Sequence, residues 1–232
     1  MKTLSDQELS RRNLLTMGLA AAAVGFSGGA LELAIPPGAH AQSTLTPDAA
    51  ISELINGNKR FTSGRLTAHQ QDLAILKEQT EEKQEPFVAV LSCADSRVPV
   101  ELVFDQSIGH IFVTRVAGNV ATPEIIGSLE YGAAVLGTRA ILVMGHSNCG
   151  AVKAAIQGKE VPGQISVLFS HIRPAVSQAG SDLASATKAN ATNQAALLRE
   201  SSTVISGMVK SGKLKVLAAY YDLGSGSVTL LQ

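Results

Sequence analysis

Two short segments hold both cysteines of this chain and set metal-ligand residue types beside an acid/base pair. They are Cys93-Ala94-Asp95-Ser96-Arg97 and Gly145-His146-Ser147-Asn148-Cys149-Gly150. Thiolate and imidazole are donors that zinc prefers. Cys93, His146 and Cys149 make a Cys₂His set that leaves one coordination position for water. A zinc ion held that way generates hydroxide near neutral pH. Asp95 and Arg97 follow the first thiolate closely enough to manage that water. Asp95 is open to three roles: a fourth zinc ligand in a closed state, an acceptor for the hydrogen of the water, or a plain turn residue. Arg97 is suited to a bidentate pair with Asp95, which would hold it ionised and turned away from the metal. A purely structural ion pair is the alternative.

Other readings compete for the same residues. Cys93 and Cys149 could instead form a disulfide or be two inert buried thiols, but a disulfide would leave His146 and Asp95 without a task. Gly145-His146-Ser147 after an apolar run resembles the start of a nucleophile elbow, yet Cys149 stands where the closing glycine is required. His69, His110 and His171 read as surface or packing residues, with His110 also placed where a proton shuttle could sit.

These residues need rigid elements to bring them together. Phe87 to Ser92, Ile111 to Val116 and Ala140 to Met144 are apolar runs of the kind that form buried parallel strands. Cys93 closes the first and His146 the third, so the ligands meet if those two strands are neighbours. Open parallel sheets put their sites at such strand ends. Cys149 opens an expected helix to Ile156, where the helix dipole favours its thiolate. A helix beginning at Thr46 has a capping hydroxyl, Pro47 in its first turn and an apolar face of Ile51, Leu54, Ile55 and Phe61. Further helices are expected over about 68–83, 123–136, 164–179 and 184–210. Lys215 to Tyr221 and Ser227 to Leu231 read as strands around a Gly-rich turn. The class is α/β, with a mostly parallel central sheet flanked by helices and an antiparallel edge. The polar stretch from Gln178 to Thr203 matches no motif.

The bulk composition narrows the partners. Nineteen basic residues balance nineteen acidic ones, so no net field draws nucleic acid or an anionic membrane. Residues 1–41 read as an export signal: Ser10-Arg11-Arg12-Asn13-Leu14-Leu15, an apolar run from Met17 to Ala30, and Ala39-His40-Ala41 as the cleavage site. The paired arginines point to the twin-arginine route, with a Sec signal or a retained anchor as the alternative. Gly25, Gly28 and Gly29 break the run, which argues against a permanent membrane span once the signal is removed. Residues 42–232 then form one catalytic domain in a periplasmic or equivalent compartment. A route that carries folded proteins would let the thiolates take up zinc before they meet oxidant.

The residues together resemble the β-class carbonic anhydrases. The match runs through Asn58-x-Arg60-Phe61, Gln84-x-Pro86, Cys93-x-Asp95-Ser96-Arg97, Arg115-x-Ala117-Gly118-Asn119, Ser128-Leu129-Glu130-Tyr131, Gly145-His146-Ser147-x-Cys149-Gly150 and Tyr220-Tyr221-Asp222-Leu223. The resemblance implies reversible hydration of CO₂ to bicarbonate and a proton, with one zinc ion per subunit on Cys93, His146 and Cys149 and an Asp95–Arg97 dyad. It implies that Gln84 of a neighbouring subunit helps hold substrate, that Phe112, Ala117 and Tyr131 line the CO₂ niche, and that Gly150 offers a backbone donor. It also implies a homodimer or dimer of dimers that exchanges N-terminal helices, the Thr46 helix being that arm. Family members that close the site use a bicarbonate pocket containing tryptophan, which this chain lacks. An open site is therefore expected. Two rivals keep the zinc: a hydrolase of CS₂ or COS, and a non-catalytic binding protein with Asp95 completing the coordination.

Overall fold

The computed structural model describes residues 43–68 and 83–231. They belong to one compact unit, Gly38–Gln232. The export signal, His69 and nearly all of the helix expected over 68–83 lie outside the described residues.

Helix α1 (Pro47–Thr62) starts as the sequence leads one to expect. The Thr46 hydroxyl accepts the Ala49 amide at 3.2 Å, and Pro47 opens the first turn. Strand β1 (Val88–Ser92) leads into a short helix α2 (Val100–Val103), then β2 (Ile111–Arg115). Helix α3 (Pro123–Glu130) widens into a π-helical turn over Tyr131–Val135 and is followed by β3 (Ala140–His146). Four helices come next: α4 (Gly150–Gln157), α5 (Ser166–Ala179), α6 (Leu183–Ser201) and α7 (Thr203–Lys210). Strands β4 (Lys215–Tyr221) and β5 (Val228–Leu231) end the fold.

The sheet order is β2-β1-β3-β4-β5. The first four strands run parallel and β5 is antiparallel to β4. Alternation along each strand sends side chains to opposite faces. Val88, Val90, Leu142 and Met144 join one core with Ile51 and Leu54 of α1. Ala89, Leu91, Ile141 and Val143 join the other with Leu129, Ala191, Leu198 and Ile205 from α3, α6 and α7. With both faces covered, every residue of β1 and β3 is buried. This accounts for their continuous apolar sequence. Helix α1, the implied exchanging arm, lies against its own chain's sheet. There Gly57 comes so close to Phe104 that a Cβ would sit 1.7 Å from its carbonyl oxygen.

One expected helix is two. The 184–210 run breaks at Ser202, which is extended (φ −100°, ψ 117°) and buried. Its hydroxyl accepts the Ile205 amide at 2.9 Å and donates to Glu130 Oε1 at 2.6 Å. Ser202 thus caps α7 and joins it to α3, an arrangement that helical periodicity alone does not reveal.

Candidate metal centre

Strands β1 and β3 pair in register, Ser92 beside Met144. Cys93 therefore leaves the sheet next to the end of β3, where His146 stands. Ser147 and Asn148 turn the chain, Asn148 with a left-handed φ of 55°, and Cys149 becomes the N-cap of α4. The two sulfurs and one imidazole nitrogen lie within 4.8 Å of one another. All three residues are buried, at 4%, 0% and 1% exposure for Cys93, His146 and Cys149, and both thiols are free rather than joined.

The histidine is set up as a ligand. Its Nδ1 lies 2.9 Å from the Ser147 carbonyl, which can only accept, so Nδ1 carries the proton. Nε2 is left with a lone pair, no hydrogen-bond partner and no solvent. A buried polar atom without a partner is costly, and a cation held with the two sulfurs would satisfy it. The thiols point the same way. Cys93 is pushed well below the usual thiol value, chiefly by the hydrogen bond from the Cys149 thiol, with help from the Gly118 and Asp95 amides. Cys149 is pushed up because it supplies that proton and is itself buried. Two free, buried thiols beside Nε2 offer a place where a divalent ion could take over from the thiol protons. The donor set fits zinc.

Asp95 borders this cage. Its Oδ1 accepts from the Arg97 amide and Nε, both at 2.9 Å, and its Oδ2 accepts from Arg97 Nη2 at 2.7 Å. The guanidinium holds the carboxyl well below the usual carboxylate range. Arg97 Nη2 also reaches the Asn148 carbonyl at 3.3 Å, tying the two ligand loops together. Arg115, for which the sequence suggested no role, fixes the first loop: Nε donates to the Cys93 carbonyl at 3.0 Å and Nη2 to the Asp95 carbonyl at 2.5 Å. The Gly118 amide donates to Cys93 Sγ at 3.3 Å.

The remaining candidates are more dispersed. Phe112 on β2 and Tyr131 face each other with ring centroids 6.3 Å apart. Ala117 opens the short turn that carries Gly118, and Gly150 is the first residue of α4. Gln84 is exposed ahead of β1, and His110 is exposed just before β2. The Ser147 hydroxyl accepts the Leu223 amide at 2.8 Å, and among the described residues no histidine nitrogen bonds to it. A serine-nucleophile arrangement is therefore not assembled there. Sequence reasoning missed Asn190 and Gln194 of α6. Their positions four apart on a helix were the available signal, but carboxamides at that spacing usually mark a solvated face.

The carbonic anhydrase family model matches residues 88–228. "Carbonic anhydrase 2" of Mycobacterium tuberculosis is 33% identical over 192 residues, covering 79% of this chain and 92% of the relative. A carbonic anhydrase of Mycolicibacterium smegmatis is 35% identical over 192 residues, covering 79% and 93%. Among solved structures, a tetrameric β-carbonic anhydrase from Sordaria macrospora superposes with a TM-score of 0.62 at 20% identity, covering 78% of this chain and 96% of that one.

Proposed function

The chain belongs to the carbonic anhydrase family, in its β class, and from that membership we propose how its residues serve the reversible hydration of CO₂ to bicarbonate and a proton. Cys93, His146 and Cys149 hold one zinc ion per subunit. Zinc, when bound there, supplies a Lewis acid that activates water near neutral pH. The carrying observation is His146 Nε2, fully buried and unpartnered beside two buried free thiols.

The chain's own residues then divide the work. Asp95, kept ionised by Arg97, can accept a hydrogen but not donate one, so it orients the nucleophile toward the substrate carbon. Ser147 fixes the tautomer of His146 through its carbonyl. Phe112, Ala117 and Tyr131 line an apolar niche for CO₂, and the Gly150 amide offers a donor to the product. Gln84 serves the site of a second copy in a homodimer or dimer of dimers; its exposure in the single chain supports this reading.

We further propose that residues 1–41 direct the chain through the twin-arginine route to a periplasmic or equivalent compartment. The Arg11-Arg12 pair, the Gly-broken apolar run and the Ala39-His40-Ala41 site support it. Among the described residues no helix is long and apolar enough to cross a membrane.

The test is metal content together with stopped-flow CO₂ hydration in the purified chain and in Cys149→Ala. The unaltered chain should carry about one zinc per subunit and hydrate CO₂, and the variant should lose both. A metal-free chain with its thiols oxidised to each other, or a fully active variant, would overturn the assignment.

A further inference from the structure

The polar stretch without a recognisable motif forms α6, and its buried face includes Thr187, Asn190 and Gln194. Buried carboxamides are costly unless bonded, and here each is bonded. Asn190 Nδ2 donates to the Gly118 carbonyl at 2.8 Å. Gln194 Oε1 accepts the Ala121 amide at 2.9 Å, and its Nε2 donates to the His171 carbonyl at 3.1 Å and to Asn190 Oδ1 at 3.3 Å. Both side chains therefore grip the segment from Gly118 to Ala121. The Gly118 amide is the one that donates to Cys93 Sγ.

That segment has little freedom. Gly118 has a φ of +76°, and a Cβ on it would come within 2.8 Å of Ile172 Cδ1 and 3.3 Å of Ala151 Cβ. The same helix also meets the other ligand loop. A Cβ on Gly145, the residue before His146, would lie 3.0 Å from Thr187 Cγ2 and 3.1 Å from the Thr187 carbonyl oxygen. One face of α6 thus braces the segment that donates to Cys93 and the strand end that carries His146.

We propose that Asn190 is a positioning residue for the metal cage: by holding the Gly118 carbonyl it aims the Gly118 amide at Cys93 Sγ and so sets how firmly the ion is kept. The inference rests on the zinc reading above. A hydrogen bond to a thiolate draws charge from the sulfur and fixes its direction. Partners of this outer kind typically change metal affinity by about 10- to 100-fold when lost.

The experiment uses the full chain, Asn190→Leu, and Asn193→Ala as a control on the same helix. Zinc release to a chromogenic chelator should be about tenfold faster in Asn190→Leu and unchanged in the control. With cobalt(II) as the probe, the thiolate-to-metal charge-transfer bands of Asn190→Leu should move to longer wavelength, because the sulfur is then more electron-rich. A variant that melts lower as apoprotein but releases zinc at the original rate, with unshifted cobalt bands, would make Asn190 merely structural and overturn the proposal. If the variant does not fold, the unaltered chain loaded with cadmium-113 decides: the Gly118 amide proton should couple to the metal through its hydrogen bond, and no coupling overturns the proposal. An unaltered chain that binds none of these ions fails the zinc reading itself, and this inference with it.

Discussion

Asp95 Oδ2 stands 3.8 Å from His146 Nε2, beyond hydrogen-bond reach, while Arg97 Nη2 lies 2.7 Å from the same oxygen. The carboxylate borders the metal cage but is held by the arginine. The two Arg97 bonds are what the expected open site calls for, and they leave the ionised Asp95 able only to accept.

Asp95→Asn should therefore separate metal binding from turnover. The amide nearly preserves the shape but can present a donor where an acceptor is needed. Zinc content should stay at the original level while CO₂ hydration falls by about 100-fold, the lower range for a positioned proton-handling group. Metal analysis and stopped-flow hydration on one preparation check it. Undiminished turnover would reduce the Asp95–Arg97 pair to a structural ion pair.

What the sequence made legible follows from chemistry and periodicity. Cys93, His146 and Cys149 stood out because their types are rare in this chain, with Cys93 and His146 closing two apolar runs and Cys149 opening the helix after the second. The continuous apolarity of β1 and β3 also marked them as central parallel strands. Asn190 and Gln194 were not legible, because a carboxamide facing a buried loop and one facing water look alike until the loop is in place. The break at Ser202 was hidden for a similar reason: its partner Glu130 is 72 residues away.

Asp105 should make the fold acid-sensitive in a narrow window. Burial pushes its carboxyl up, but Arg60, the Ala68 and Thr67 amides and the Thr67 hydroxyl outweigh burial and bring it to about 2. Arg60 Nε is 2.5 Å away. A depressed carboxyl adds stability that is present above its unfolded value of about 3.9 and is lost as pH falls through the folded one. Asp105→Asn should cost about 2 kcal/mol at neutral pH. In urea melts that difference should shrink between about pH 4 and pH 2. A difference that stays constant across that range would contradict the clamp.

Ser202→Ala should destabilise the fold without touching the chemistry. It removes the cap of α7 and leaves Glu130 without its 2.6 Å donor. Loss of a cap costs about 1 kcal/mol, and the stranded carboxylate adds to it. Thermal melts should show the loss while zinc content and the hydration rate of the folded protein are unchanged. A wild-type melting temperature would mean that the break between α6 and α7 is held by packing alone.

Replacing Arg11 and Arg12 together with lysine tests the export route against the state of the thiols. Cys93 and Cys149 lie side by side in the fold, and nothing covalent protects them. A chain crossing unfolded would carry two reactive thiols into an oxidising compartment and could close them into a disulfide. A chain folded and loaded beforehand would arrive with its sulfurs committed to metal. The twin-arginine route carries folded cargo and reads the arginine pair, whereas a Sec signal needs only positive charge ahead of its apolar run. The double lysine variant keeps that charge. It should accumulate in the cytoplasm with its metal in place, as fractionation and metal analysis would show. Export of the variant at the original level would assign the signal to Sec, and zinc loading would then have to follow translocation.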